Sequence, residues 1–232
     1  MIALVCESST LLGSIALFKD NQLLAYRESL RQGSHTNVVN TYVDDVLTST
    51  NLKLSAVDLF VSGVGPGSFT GIRISLNLIK TLAYCHSKPV LGINSLENLA
   101  SQVVETNLPI ICMINAYKNM VYIAEYSNSS GVLLQIRPPE VVRVQELVNY
   151  ITHTCFVVGD GHAAYSQYLQ PSTNALIKRP AAPQDEPKAN AISKLILSRS
   201  NEATHWSNFL PLYLRASEAE EVQQGIKYQS LV

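Results

Sequence analysis

The chain has 232 residues, 47% of them hydrophobic, which suffices for one large or two small compact domains with real cores. Its 17 basic residues balance 18 acidic ones at a formal net charge of -1, with no run of Lys or Arg, which gives no electrostatic footprint for gripping a phosphate backbone alone. No basic N-terminal segment precedes a cleavable apolar stretch and no apolar run nears the ~20 residues of a membrane span, so a soluble, cytoplasmic chain without membrane association is expected.

IALVCE reads as a buried strand, SST as a turn, LLGSIALFKD as a second strand and QLLAYRES as a third after the Asp20-Asn21 turn. A helix is predicted from about Ser34 to Asn51, with the apolar stripe Val38, Val39, Tyr42, Val43, Val46 and Leu47 packing on a sheet. The apolar run ending in Val61 then leads into GVGPGSFTGIR, Gly63 to Arg73, a glycine-dense turn that opens another helix with Ser68 placed as its cap. In that helix Ile72, Leu76, Ile79 and Ala83 line one face while Ile74, Leu78, Leu82 and Cys85 line a neighbouring one. A helix apolar most of the way round is covered on both sides, by a partner protein or by the chain's own C-terminal segment.

The opening pattern returns. IICMIN, the turn AYKN, MVYIAEYS and GVLLQIR repeat it without a gap across the first hairpin when Glu7 is placed on Asn115, an offset of 108 residues, so that Ile2 falls on Ile110, Ile15 on Ile123, Ala16 on Ala124 and Phe18 on Tyr126. Each set is followed by a strand running into a glycine turn that opens a helix, LFVSGVG and CFVVGDG, so a duplicated α/β unit is the reading. Pro171, Pro180, Pro183 and Pro187 mark an irregular connection, a helical pattern covers Ile192 to Leu197, and Trp206, Phe209, Leu210 and Leu212 form a returning anchor. After Arg215 the chain is polar. Two small domains follow from this order: 1–105, joined by the C-terminal segment 205–232, and 106–204.

The glycine turn lacks the Lys of a phosphate-binding P-loop, and although Gly65, Gly67 and Gly71 fall close to a dinucleotide fingerprint, Pro66 interrupts it and no acid lies ~20 residues on. Cys6, Cys85, Cys112 and Cys155 never approach CxxC spacing and read as packing; His35, His86, His153, His162 and His205 form no HExxH or HxxxH pair, so no metal site is expected.

The duplicated plan resembles the actin, sugar-kinase and Hsp70 superfamily, with its ribonuclease H-like fold and ATP held between two related domains. Its active members carry an Asp at the end of the first strand of each unit, where this chain has Glu7 and Asn115. Asn cannot act as a general base, and Asp160, between two glycines, reads as a turn or cap acid or as the remaining catalytic carboxylate. With GVGPGSFTGIRISL, LVCESST, NAYKNMVYIAEY, the GDG turn and PLYLR in that order, nearly the whole chain resembles the TsaB family, non-catalytic paralogues of the transferase TsaD in bacterial tRNA threonylcarbamoyladenosine biosynthesis.

That resemblance implies a heterodimer with a TsaD homologue, joined by the ATPase TsaE, with tRNA reached only through the complex and a homodimer open to the isolated chain. ATP and Mg²⁺ would then be used by the complex, with no cofactor, metal or catalytic residue in this chain. It implies a partner interface of Gly65, Pro66, Gly67, Ser68, Phe69, Thr70, Gly71, Ile72, Arg73, Leu76 and Ile79 with Val39 and Tyr42, and matches Pro211, Tyr213, Leu214 and Arg215 to a terminal motif. The family's DTST or DTAT is Glu7-Ser8-Ser9-Thr10 here, and its DAR-like turn is Asn115-Ala116-Tyr117, departures that leave Glu7, Asn115 and Asp160 as degenerate active-site positions. The fold and glycine turns leave an ATP-dependent phosphotransferase or ATPase as the alternative. A glycoprotease-like peptidase finds no Ser, Cys or His constellation.

Overall fold

The computed structural model describes residues 1–30, 35–104, 106–129, 131–181, 184–216 and 218–223. Its strands are β1 (Ile2–Glu7), β2 (Leu12–Lys19), β3 (Gln22–Leu30), β4 (Leu59–Gly65), β5 (Val90–Asn94), β6 (Thr106–Asn115), β7 (Met120–Ser129), β8 (Val132–Arg143), β9 (Cys155–Val158) and β10 (Ile177–Lys178). The α-helices are α1 (His35–Thr50), α2 (Phe69–His86), α3 (Ser95–Ser101), α4 (Leu147–Tyr150), α5 (Asp160–Tyr165), α6 (Pro171–Asn174), α7 (Ser193–Arg199) and α8 (Glu218–Gln223). The predicted first residue of α1, Ser34, and Pro183 of the irregular connection lie outside the described residues. None of the described helices is long and apolar enough to cross a membrane.

The chain divides into two compact units, Met1–Asn98 with Pro187–Leu212, and Leu99–Glu186 with Tyr213–Val232. The expected boundary at 105 thus falls several residues earlier, and the C-terminal segment expected to join the first domain as a whole is divided. Local bonding explains the division: Phe209 is buried in the first unit's core and the Leu212 amide donates to the Val64 carbonyl at 2.8 Å. Arg215, three residues on, donates to the carbonyl of Ala116 and pairs with Glu221, all in the second unit.

In the first unit the sheet order is β3-β2-β1-β4-β5, with β1-β2 and β2-β3 antiparallel and β1-β4 and β4-β5 parallel. In the second it is β8-β7-β6-β9-β10 with the same directions, so each strand has a counterpart in the same place. This is a duplicated ribonuclease H-like plan, as the internal repeat predicts. Alternation explains the cores: Leu4 and Cys6 of β1 and Ile15 and Leu17 of β2 point at Val39, Val43, Val46 and Leu47 of α1. Their counterparts are Ile111 and Met113 of β6 and Val121 and Ile123 of β7, facing Leu147 and Tyr150.

The gapless alignment needs one correction. Cys6 pairs with Ile15 and Met113 with Ile123, so Ile15 does fall on Ile123, but Cys6 falls on Met113, one residue short of the offset that sets Glu7 on Asn115. A strand that slips by one residue exchanges its faces. Glu7, next to core-facing Cys6, points away from its helix layer, whereas Asn115, two residues after Met113, shares the helix face and contacts Tyr165.

Candidate functional site

The glycine turn follows directly from β4. Gly65 has φ +100°, a region closed to residues with a side chain, and a Cβ there would also press on Ile72 and the Leu212 carbonyl. At Gly67 and Gly71 the requirement is steric: a Cβ would overlap the backbone carbonyl oxygens of Ser9 and Ser8. The Ser68 amide donates to the Ser9 carbonyl at 2.7 Å, and the Ser8 hydroxyl donates to the Gly71 carbonyl at 2.8 Å. Ser68 caps α2 as predicted, its hydroxyl accepting from the Gly71 amide at 3.3 Å. The three glycines therefore let the turn after β1 pack straight onto the start of α2. At this helix start the Ser68 amide is taken by the Ser9 carbonyl and the Gly71 amide by the Ser68 hydroxyl, so the chain itself holds two of the donors an anion would use.

Glu7 lies beneath this corner, 1% exposed. Its Oε1 accepts from the Ser9 amide at 2.8 Å, its Oε2 has no hydrogen-bond partner, and the carboxyl presses so closely on Gly63 that any Cβ there would overlap it. Burial pushes its pKa up, against the lowering effect of hydrogen bonds from Ser9, Ser8 and Asn98. A general base needs reach to a substrate proton, and a carboxyl enclosed on all sides lacks it.

The second unit repeats the corner with different chemistry. Gly159 at φ +101° and Gly161 both approach the Met113 carbonyl too closely for a side chain. Asp160 Oδ1 accepts from the Asn115 amide at 2.8 Å, and burial, opposed by that bond and reinforced by Asp185, raises its pKa to about 6. Asn115 Oδ1 accepts from the Tyr117 amide at 2.8 Å and from the Tyr165 hydroxyl at 3.1 Å. Both residues hold the end of β6. Beyond Asn115, Tyr117, Lys118 and Asn119 run through three successive positive φ values of 57°, 50° and 63°. Arg215 of the terminal motif secures this turn through the Ala116 carbonyl, while buried Glu221 takes both Arg215 and Lys118, the latter at 3.1 Å. Sequence reasoning missed Glu221 because it lies about a hundred positions from Lys118 in a polar tail with no periodic signal. Among the described residues, no three His, Cys, Asp or Glu side chains come together as metal ligands.

Most positions of the expected interface lie inside the first unit. Ile72, Leu76, Ile79 and Val39 are between 0% and 5% exposed, and all four belong to the first unit's own core, packed on β1, β2 and β4. Gly65, Pro66, Gly67 and Gly71 are buried as well. The physical reason is that α2 lays one of its two apolar faces on its own sheet, and packing rather than composition selects which. Ser68, Phe69 and Tyr42 are half-buried, and Thr70 and Arg73 are exposed. Cys85, expected on the second apolar face, is exposed, as is Leu210 of the expected anchor.

What remains on the outside is a groove of about 540 Å³ between α1 and α2, lined on α2 by Thr70, Arg73, Ile74, Asn77, Leu78 and Thr81. Ile74 and Leu78 are half-exposed on adjacent turns, and the Arg73 guanidinium lies 5.6 Å above the centre of the Phe69 ring. The groove thus combines a short apolar strip, Ile74 and Leu78 with Val39, with the polar side chains Asn40, Thr70, Arg73, Asn77 and Thr81.

A duplicated ribonuclease H-like fold, glycine corners closed by close backbone approach and a half-exposed strip beside α1 and α2 define the class of this chain. The chain belongs to the TsaD family, tRNA N6-adenosine threonylcarbamoyltransferase, which it matches over residues 29–222. Within that family its long similarities are to TsaB, the tRNA threonylcarbamoyladenosine biosynthesis protein. It is 30% identical to TsaB of Haemophilus influenzae over 178 residues, covering 72% of this chain and 75% of that one. It is 25% identical to TsaB of Bacillus subtilis over 223 residues, covering 95% and 96%. The structure of YeaZ from Pseudomonas aeruginosa superposes with a TM-score of 0.77 at 25% identity, over 92% of this chain and 99% of that one.

Proposed function

We propose that this chain is a non-catalytic subunit in the biosynthesis of threonylcarbamoyladenosine on tRNA, and that it binds a TsaD-like transferase through the half-exposed face of α1 and α2. The process is the one for which its TsaB relatives are named. The observation that carries the non-catalytic reading is the filled corner: Ser8 and Ser9 occupy the space in front of α2, and Glu7, Asn115 and Asp160 are all engaged in holding backbone. The apolar strip of Ile74 and Leu78 supports the partner reading, since it is continuous with the core through the same helix and is left uncovered. In this reading ATP and Mg²⁺ serve the assembled complex, with a TsaE-like ATPase as its further member, and tRNA is engaged by the complex.

A reconstituted transfer assay tests it. Threonylcarbamoyl transfer to tRNA by the TsaD of the same organism should require this chain, and Glu7→Gln and Asp160→Asn should each support it at the wild-type rate. A loss of a hundredfold or more with either variant, the usual size for a removed acid or base, would make that carboxylate catalytic and end the reading.

A further inference from the structure

At the far end of α2 the first unit carries a second groove, of about 580 Å³, within the range of sites that hold one small molecule. Three rings stand along it. Tyr84 in the last turns of α2 meets Trp206 edge to face with centroids 5.1 Å apart, and His205 lies 4.9 Å from Trp206. Tyr84 is 63% exposed, so one face of this group is open. The walls are fixed: Val90 and Thr204 exchange both backbone hydrogen bonds at 2.9 Å, tying the segment that carries the rings to the edge of β5.

Polar groups converge on the same space. The hydroxyls of Ser87 and Thr204 and the indole N–H of Trp206 make no hydrogen bond to protein among the described residues. Lys88 also lines the groove, its ammonium 4.0 Å from Asp58, a loose and partly exposed pair that an anion can displace at small cost. Aromatic faces, a single cation and uncommitted hydroxyl and N–H groups within one nucleotide's volume are the elements of a single-stranded nucleic-acid pocket: a base stacks on the rings, its phosphate meets the cation, and ribose hydroxyls meet the polar wall. An apolar peptide would leave those polar groups unpaired.

We infer that this groove binds one unpaired nucleotide, its base against Tyr84 and Trp206 and its phosphate at Lys88. The inference stands on these residues alone and does not depend on the partner surface between α1 and α2. The nucleotide could come free from solution or from an unpaired stretch of RNA, and both present the same base and phosphate.

Trp206 is the chain's one tryptophan, so its fluorescence reports on the site directly. The full chain is titrated with AMP, with adenosine, with ribose 5-phosphate and with a short single-stranded RNA. AMP should quench the emission saturably and ribose 5-phosphate should not. Tyr84→Ala, an exposed position whose loss leaves the core intact, should weaken AMP by about tenfold, the scale of one stacked base. Lys88→Ala should weaken AMP and leave adenosine unchanged. Tighter binding of RNA than of AMP identifies RNA as the source, and binding of AMP without competition from RNA identifies the free nucleotide; either keeps the site. No saturable quench by AMP or RNA, or a quench indifferent to Tyr84→Ala, overturns it.

Discussion

Glu7 and Asp160 end up as buried acids at matching corners, and their pKa values make a test of what they do. Asp160 is raised from 3.8 to about 6, so its contribution to stability is full below pH 3.8 and is lost as pH rises to about 6, on the order of 3 kcal/mol in all. Glu7 is raised from 4.5 and acts in the same direction, losing its contribution as pH climbs through the folded-state value. Urea midpoints measured across about pH 4 to 8 should therefore fall for the wild type, and Asp160→Asn and Glu7→Gln should each flatten the slope, since the amides keep the acceptor oxygens and carry no charge. A midpoint that rises over this interval in the wild type would show both carboxylates ionised and paired. At this scale the sequence revealed the loss of the acid pair, because identities at strand ends can be read off directly. It did not reveal that Glu7 and Asn115 point to opposite faces, because a one-residue difference between two hairpins has no signature in a pattern of apolar residues.

Among the elements, α2 shows where periodicity stops being informative. Its two apolar lines were legible, as was its cap at Ser68, but both lines have similar composition and only packing on β4 decides which is interior. Ile72, Leu76 and Ile79, three of the positions expected at the interface, are residues that the sheet takes for its own core. Gly71 separates local propensity from packing. Ala in a helix is favoured over Gly by about 1 kcal/mol, so Gly71→Ala would stabilise α2 if the helix stood alone. Here the new Cβ would overlap the Ser8 carbonyl, a backbone atom that cannot swing aside, so the variant should lose about 2 kcal/mol or more in thermal or urea unfolding. A gain in stability would mean that the turn after β1 does not close on the helix, and the filled corner would fall with it.

Across the whole molecule the duplication was the most legible property, since two short motifs recurring in one order survive where identities do not, and the sheets repeat strand for strand. The division of the C-terminal segment was not legible, because it rests on a single backbone bond at Leu212 and on Arg215 reaching Ala116, neither of which leaves a trace in composition. The central claim is that this fold presents the outer strip of α2 and its groove with α1 to a TsaD-like transferase. Calorimetric titration of the chain into the TsaD of the same organism tests it most directly, with Ile74→Asp and Leu78→Asp combined. Both residues are half-exposed and also pack on the first unit's core, so the double variant should lose some stability but keep the wild-type circular dichroism and a cooperative unfolding transition, while its affinity falls at least a hundredfold, the weight of a central apolar contact replaced by buried charge. A folded double variant that binds as tightly as the wild type would contradict the account.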